Sequence, residues 1–153
     1  MSTRTAQHTY TIKEAAVLTG LPTSTLRYYE SIGVIAPISR GASSKHRVYD
    51  EDDLDQLMWV ACLAATGMSV SDMRQYVTNG ERGPAAAEAQ IELLEAQQQR
   101  LALEAEYIAL RQRYVRLKID YWRAVDAGDT ARAELLSSEA RKLADELKRA
   151  KQQ

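Results

Sequence analysis

No Gly or Pro interrupts the chain from Ala85 to Ala127. A stretch of that length without a breaker predicts a single helix of about 65 Å at ~1.5 Å per residue. Its apolar residues recur as a heptad. One seam position carries Ile91, Gln98, Ala105, Gln112 and Ile119, and the other carries Leu94, Leu101, Ile108, Val115 and Trp122. The second series is apolar throughout, so the helix is a coiled-coil former that dimerises, while the two glutamines weaken the seam and fix its register. The dimerisation residues are Ile91, Leu94, Leu101, Ile108, Val115, Ile119 and Trp122. A second stripe, Leu103, Tyr107, Leu110, Tyr114, Leu117 and Tyr121, lies on the opposite face, and only in the carboxyl half. Something else must cover it. Gly128-Asp129 makes a turn, after which Leu136, Ala140, Leu143 and Leu147 form one face of a helix that returns along the first.

The segment before Ala85 has a different organisation. Residues 1–8 are polar and unpatterned, which reads as a frayed terminus. Thr11 with Glu14 fits a capping box, and Ile12, Ala15, Ala16 and Thr19 then share a helical face up to Gly20. Leu21-Pro22 turns the chain into a second helix, Ser24 to Ser31, with Leu26 and Tyr29 facing inward and Gly33 as its stop. This is helix-turn-helix spacing. Val34-Ile35, Pro37-Ile38 and Arg47-Val48-Tyr49 are short extended pieces around a Gly/Ser loop, the pattern of a small hairpin or wing. Asp50 caps a third helix carrying Leu54, Leu57, Ala61 and Ala64, and Ser69 with Asp72 caps a fourth from about Val70 to Val77. Asn79-Gly80 and Gly83-Pro84 then interrupt the chain. The expected domains are therefore 10–79, 85–127 and 130–150.

Thr25-Leu26-Arg27-Tyr28-Tyr29-Glu30 puts a guanidinium and two phenols on the second helix, groups that hold phosphate oxygens. The chain as a whole is no polyanion binder, because its formal net charge is -1. Contact with nucleic acid therefore has to come from a local patch. Ser39 to Arg47 supplies one, with Arg40, Lys45, His46 and Arg47 and no acid. A helix-turn-helix beside a basic loop, fused to a dimerising helix, is how two half-sites of a duplex are met.

Tyr10-Thr11-Ile12, Ala16, Gly20, Thr25 to Glu30, Gly33-Val34-Ile35, Arg47, Tyr49, Asp53-Leu54 and Gly67-Met68-Ser69 together resemble the amino-terminal domain of the MerR family of bacterial transcription regulators. The resemblance covers about the first 80 residues. It implies a mainly α fold: a winged helix-turn-helix of four helices plus a small β-wing, then a long antiparallel coiled-coil dimerisation helix and a short returning carboxyl-terminal helix. It places Ser24, Thr25, Arg27 and Tyr28 on the recognition helix and Arg40, Lys45 and Arg47 in the wing, with Thr11 and His46 as further DNA-contact candidates. Tyr29 stays open between packing and phosphate contact. The partners implied are a second copy of the chain, double-stranded promoter DNA with a pseudo-palindromic site and, through the promoter, RNA polymerase. Members of the family bend and untwist a promoter spacer, a distortion costing on the order of several kcal/mol.

Metal-responsive relatives carry cysteines at the start of the dimerisation helix and in the loop after it, where this chain has Asn79-Gly80-Glu81 and Ala127-Gly128-Asp129. His8, His46 and Cys62 have no ligand spacing, so no metal or other cofactor is expected. About 25 residues follow Gly128, too few for a separate effector domain. Tyr107, Tyr114 and Tyr121 with Trp122 either line a small cavity or pack on the returning helix, and the sequence favours packing. Cys62 is either a small buried residue of the third helix or a thiol switch. A single-cysteine subgroup linked to aldehyde, nitrosative and thiol stress is similar around Cys62 and from Leu117 to Gly128. No arrangement for catalysis is present. No secretory signal or membrane span is found, which predicts a cytoplasmic, nucleoid-associated protein. Two rivals remain: a DNA-architectural factor without a sensor, and a coiled-coil adaptor whose head binds protein.

Overall fold

The computed structural model describes residues 8–151, so the reading of residues 1–8 as a frayed terminus lies, but for exposed His8, outside the described residues. The chain divides into two compact units, one ending at Leu94 and the other starting at Glu95.

In the first unit, α1 (Ile12–Thr19) opens on the expected capping box. Thr11 Oγ1 accepts from the Glu14 amide and the Glu14 carboxylate accepts from the Thr11 amide. Helix α2 (Thr23–Ser31) starts one residue earlier than the sequence predicts, because Pro22 at φ -60° already has the torsion a helix entry needs. It has no side-chain cap. At its far end Gly33 adopts φ +79°, and the amides of Val34 and Ile35 both fold back onto the Tyr29 carbonyl. Helix α3 (Glu51–Ala65) begins with a second capping box, Asp50 with Asp53, and three acids in its first turn oppose the positive end of the helix dipole. Helix α4 (Val70–Gly80) is capped by Ser69 and runs through Asn79-Gly80 instead of stopping at Val77. Asn79 is buried there and hydrogen-bonded, so it continues the helix, and the break falls at a 3-10 turn, Gly83–Ala86.

Leu26 and Tyr29 of α2, Leu57 and Val60 of α3 and Met73 of α4 close on Val34, Ile35 and Tyr49 to form one core. Burial at ~25 cal/mol per Å² makes this the main stabilising term of the unit. Among the described residues the expected wing is two isolated antiparallel bridges, Tyr10 with Tyr49 and Arg40 with Arg47, and no longer strand. Ile38 and Tyr49, on either side of the Arg40–Arg47 bridge, turn their side chains into the core.

Helix α5 (Ala87–Asp126) carries the heptads and α6 (Thr130–Lys151) follows Gly128, which has φ +71°. In the second unit Ala124, Ala133 and Leu136 pack with Leu117 and Tyr121, so α6 does fold back on α5. Lys118 lies over the rings of Tyr114 and Tyr121, and Arg111 over that of Tyr107, shielding their outer faces. Leu103 departs from the expected pattern and is 55% exposed. The 22 residues of α6, at equal rise, reach back only to about residue 105.

Candidate nucleic-acid interface

Successive residues of a helix are rotated by about 100°, so neighbours in the Arg27-Tyr28-Tyr29 run cannot share a fate. Tyr29 is turned into the core at 7% exposure, and burial pushes its phenol above the ordinary tyrosine pKa. It is a packing residue. Ser24, Arg27 and Tyr28 stand on the opposite side in solvent, with Thr25 half-buried between them. The Arg27 guanidinium makes no hydrogen bond among the described residues. Helix α2 therefore presents one hydroxyl, one phenol and one guanidinium on a face that its buried Leu26 and Tyr29 hold rigid.

The wing is built from backbone bonds. The Val48 amide donates to the Ser39 carbonyl at 2.8 Å, and the Gly41 amide to the His46 carbonyl at 2.9 Å. Lys45 closes the turn at φ +58°, a left-handed conformation that costs about 1–2 kcal/mol in a residue with a Cβ. Its carbonyl accepts from Arg40 Nη1 at 3.1 Å, which pins the arginine stem across the turn. Lys45 and His46 project from the tip and are exposed.

Arg47 behaves differently from the other wing cations. Its Nε donates to Glu30 Oε1 at 2.7 Å, with both side chains more than four-fifths buried, so it ties the wing to the last turn of α2. Glu30 is thus the residue that sequence reasoning missed. A lone acid in α2, facing an acid-free basic loop, was the available signal. Thr11, another candidate, spends its hydroxyl on capping α1.

Beneath the pair lies Tyr49, fully buried, with a hydroxyl that has no hydrogen-bond partner among the described residues. Burial raises its pKa, with Arg47 opposing, so the group is a neutral phenol. A buried unpaired hydroxyl costs about 1–3 kcal/mol. Tyr49→Phe is expected to raise the thermal midpoint, by about 4–8 °C per kcal/mol recovered in a unit of this size. A thermal melt showing a lower midpoint would mean the hydroxyl is satisfied in solution.

The remaining candidates lie elsewhere. On α5, Ile91, Leu94, Leu101, Ile108, Val115, Ile119 and Trp122 are all exposed, from 38% at Leu101 to 64% at Trp122. Tyr107, Tyr114 and Tyr121 are half-buried, and Trp122 faces outward, lining an open groove with Val115 and Ile119. Tyr114 lines the same groove as Trp122, and the Tyr121 ring meets the Trp122 ring edge-on at 5.3 Å, whereas Tyr107 is not among the groove's lining residues. Cys62 is exposed on α3, one helical turn from exposed Met58 and Trp59. Among the described residues no group of three or more His, Cys, Asp or Glu side chains is placed to hold a metal ion, and no helix is long and apolar enough to cross a membrane.

Residues 10–79 match the family model described as MerR HTH family regulatory protein. The chain is 39% identical over 71 residues to the uncharacterized regulator YyaN of Bacillus subtilis (strain 168), covering 46% of this chain and 51% of that protein. It is 36% identical over 83 residues to the transcriptional regulator AdhR of the same organism, covering 54% and 59%. The chain thus spans little more than half the length of these curated relatives. Its fold is that of HiNmlR, a MerR family regulator lacking the sensor domain and solved bound to promoter DNA. The two superpose with a TM-score of 0.66 at 24% identity, over 84% of this chain and 96% of that one.

Proposed function

We propose that this chain, whose residues 10–79 are a MerR-family helix-turn-helix domain, is a transcription regulator that holds a pseudo-palindromic promoter site as a homodimer. One observation carries the reading. Ser24, Arg27 and Tyr28 share the solvent face of a helix whose other face is locked in the core, beside a wing that offers Lys45 and His46. On a chain of net charge -1 that patch is what meets phosphate, through charge-assisted bonds from the cations and neutral ones from the hydroxyls. Arg47 acts at one remove, holding the wing against α2 through Glu30. Support for DNA as the partner comes from the shared fold of HiNmlR, which is bound to promoter DNA.

The exposed seam from Ile91 to Trp122 is read as the dimer interface, with two copies of α5 running antiparallel. Such a dimer separates its two heads rigidly, so a change in its geometry becomes bending and untwisting of the promoter between the half-sites. Smooth bending of a short site costs about 1–6 kcal/mol, small enough for a modest change in the protein to be decisive.

Cys62 is read as the point of control, making the chain one of the single-cysteine, stress-responsive kind. Its exposure supports this reading, since a thiol must meet its reagent. With an unsaturated aldehyde the thiolate adds to the electrophilic carbon, a C–S bond forms, the carbon–carbon π bond breaks and solvent supplies a proton. A footprint over the promoter of its own gene, repeated as salt rises, tests the DNA reading, because phosphate-driven binding weakens steeply with salt. The same promoter fused to a reporter tests the switch. Wild type should respond to the aldehyde and Cys62→Ala should not. Equal responses would remove Cys62 from the mechanism, and a salt-independent footprint would favour a head that binds protein.

A further inference from the structure

The joint between α4 and α5 is held by three side-chain amides in series. Gln75 Nε2 donates to Asn79 Oδ1 at 2.8 Å, Asn79 Nδ2 donates to Gln90 Oε1 at 3.1 Å, and Gln90 Nε2 donates to the Tyr76 carbonyl at 2.8 Å. Asn79, in the middle, is 4% exposed, although Thr78 and Gly80 on either side of it face solvent. Ala86 of the intervening 3-10 turn is buried too, at 1%.

Apolar surfaces in contact can slide or rotate with little change in energy. A buried amide cannot, because its donor and acceptor must both be satisfied and only one relative placement of the two helices does so. The relay therefore ties the first turn of α5 to the last turns of α4 by hydrogen bonds, beside the packing of Ala86. Ile91 follows Gln90 directly and Leu94 lies one turn further on. These first two seam residues belong to the same compact unit as α2, so the relay joins the recognition face to the start of the dimer seam.

We infer that Asn79 and Gln90 are positioning residues that select the spacing between the two half-sites the dimer accepts. The inference rests on the homodimeric, DNA-binding reading above. In a symmetric dimer the seam defines the two-fold axis, and any tilt at the α4–α5 joint moves both recognition helices in opposite senses. One base pair of spacing corresponds to about 3.4 Å along the duplex, so a loosened joint admits neighbouring spacings. Neither residue need touch DNA for this to hold.

The test is selection of bound duplexes from a pool of random sequence by the full-length protein, comparing wild type with Asn79→Ala and Gln90→Ala. Wild type is expected to recover one half-site sequence in pairs at a single dominant spacing. Both variants should recover the same half-site with the dominance over spacings one base pair shorter and longer reduced about fivefold, the discrimination that one lost buried hydrogen bond supplies. Gln90 is only half-buried and alanine is a strong helix former, so the second variant keeps its fold even if the first does not. Thermal melts of each variant separate the role from plain stabilisation. A lower midpoint with an unchanged spacing profile overturns the inference, as does a changed half-site sequence. Failure of wild type to recover paired half-sites overturns instead the DNA-binding reading on which it stands.

Discussion

Arg27→Ala is expected to remove operator binding while leaving the dimer intact. Arg27 stands exposed on the solvent face of α2, with no hydrogen bond among the described residues and no contact that the core depends on. Its neighbours Leu26 and Tyr29 hold the helix in place without it. An arginine that contacts a phosphate or a base edge contributes about 1–3 kcal/mol, and a homodimer loses it twice. The combined effect is a drop in affinity on the order of 10²–10⁴-fold. A mobility-shift titration at moderate salt measures it, with sedimentation on the same sample to verify the dimer. Survival of tight binding would place the recognition surface elsewhere.

The second large effect is expected from Ile108→Glu. Ile108 is 49% exposed in a single chain although it is a large aliphatic residue on a helix face with no other cover. The seam from Ile91 to Trp122 has its middle between Glu106 and Tyr107, so in an antiparallel pair Ile108 lies close to its own symmetry mate. Truncating a buried isoleucine costs about 2–5 kcal/mol, and the change occurs in both copies. Glutamate adds two like charges across a narrow, partly desolvated gap. The dimer should become a monomer at micromolar concentration, and operator affinity should collapse with it, since each head alone meets only one half-site. A variant that sediments as the wild-type dimer would show that the seam lies on another face of α5.

Much of the fold was legible because the signals that carry it are local. Thr11 with Glu14 and Asp50 with Asp53 are hydrogen bonds across three residues, and each can be written down from spacing alone. The heptads of α5 were equally plain, since apolar residues at seven-residue spacing are written in the sequence alone. The interface was legible only in outline. Tyr28 and Tyr29 are chemically alike, and helical spacing alone turned Tyr29 inward; the sequence left open only how its phenol divides between packing and phosphate contact, and in the fold it is buried. Arg47 looked like any other cation of a basic loop. Its partner Glu30 is seventeen residues away and reaches it only once the wing has folded over α2. Asn79 read as a helix breaker because Asn-Gly usually is one. The amides of Gln75 and Gln90, four residues before it and eleven after, turned it into a continuing residue.

The order of helices, their caps, the length of α5 and the existence of an apolar seam were therefore determined by the sequence itself, through interactions spanning one turn of helix or one heptad. Which wing arginine is tied to α2, whether the Tyr49 hydroxyl finds a partner, and how α4 hands on to α5 were decided only by tertiary structure. Each depends on a polar or aromatic group finding, or being denied, a partner far along the chain, and the cost of burying such a group alone is what makes the choice unique.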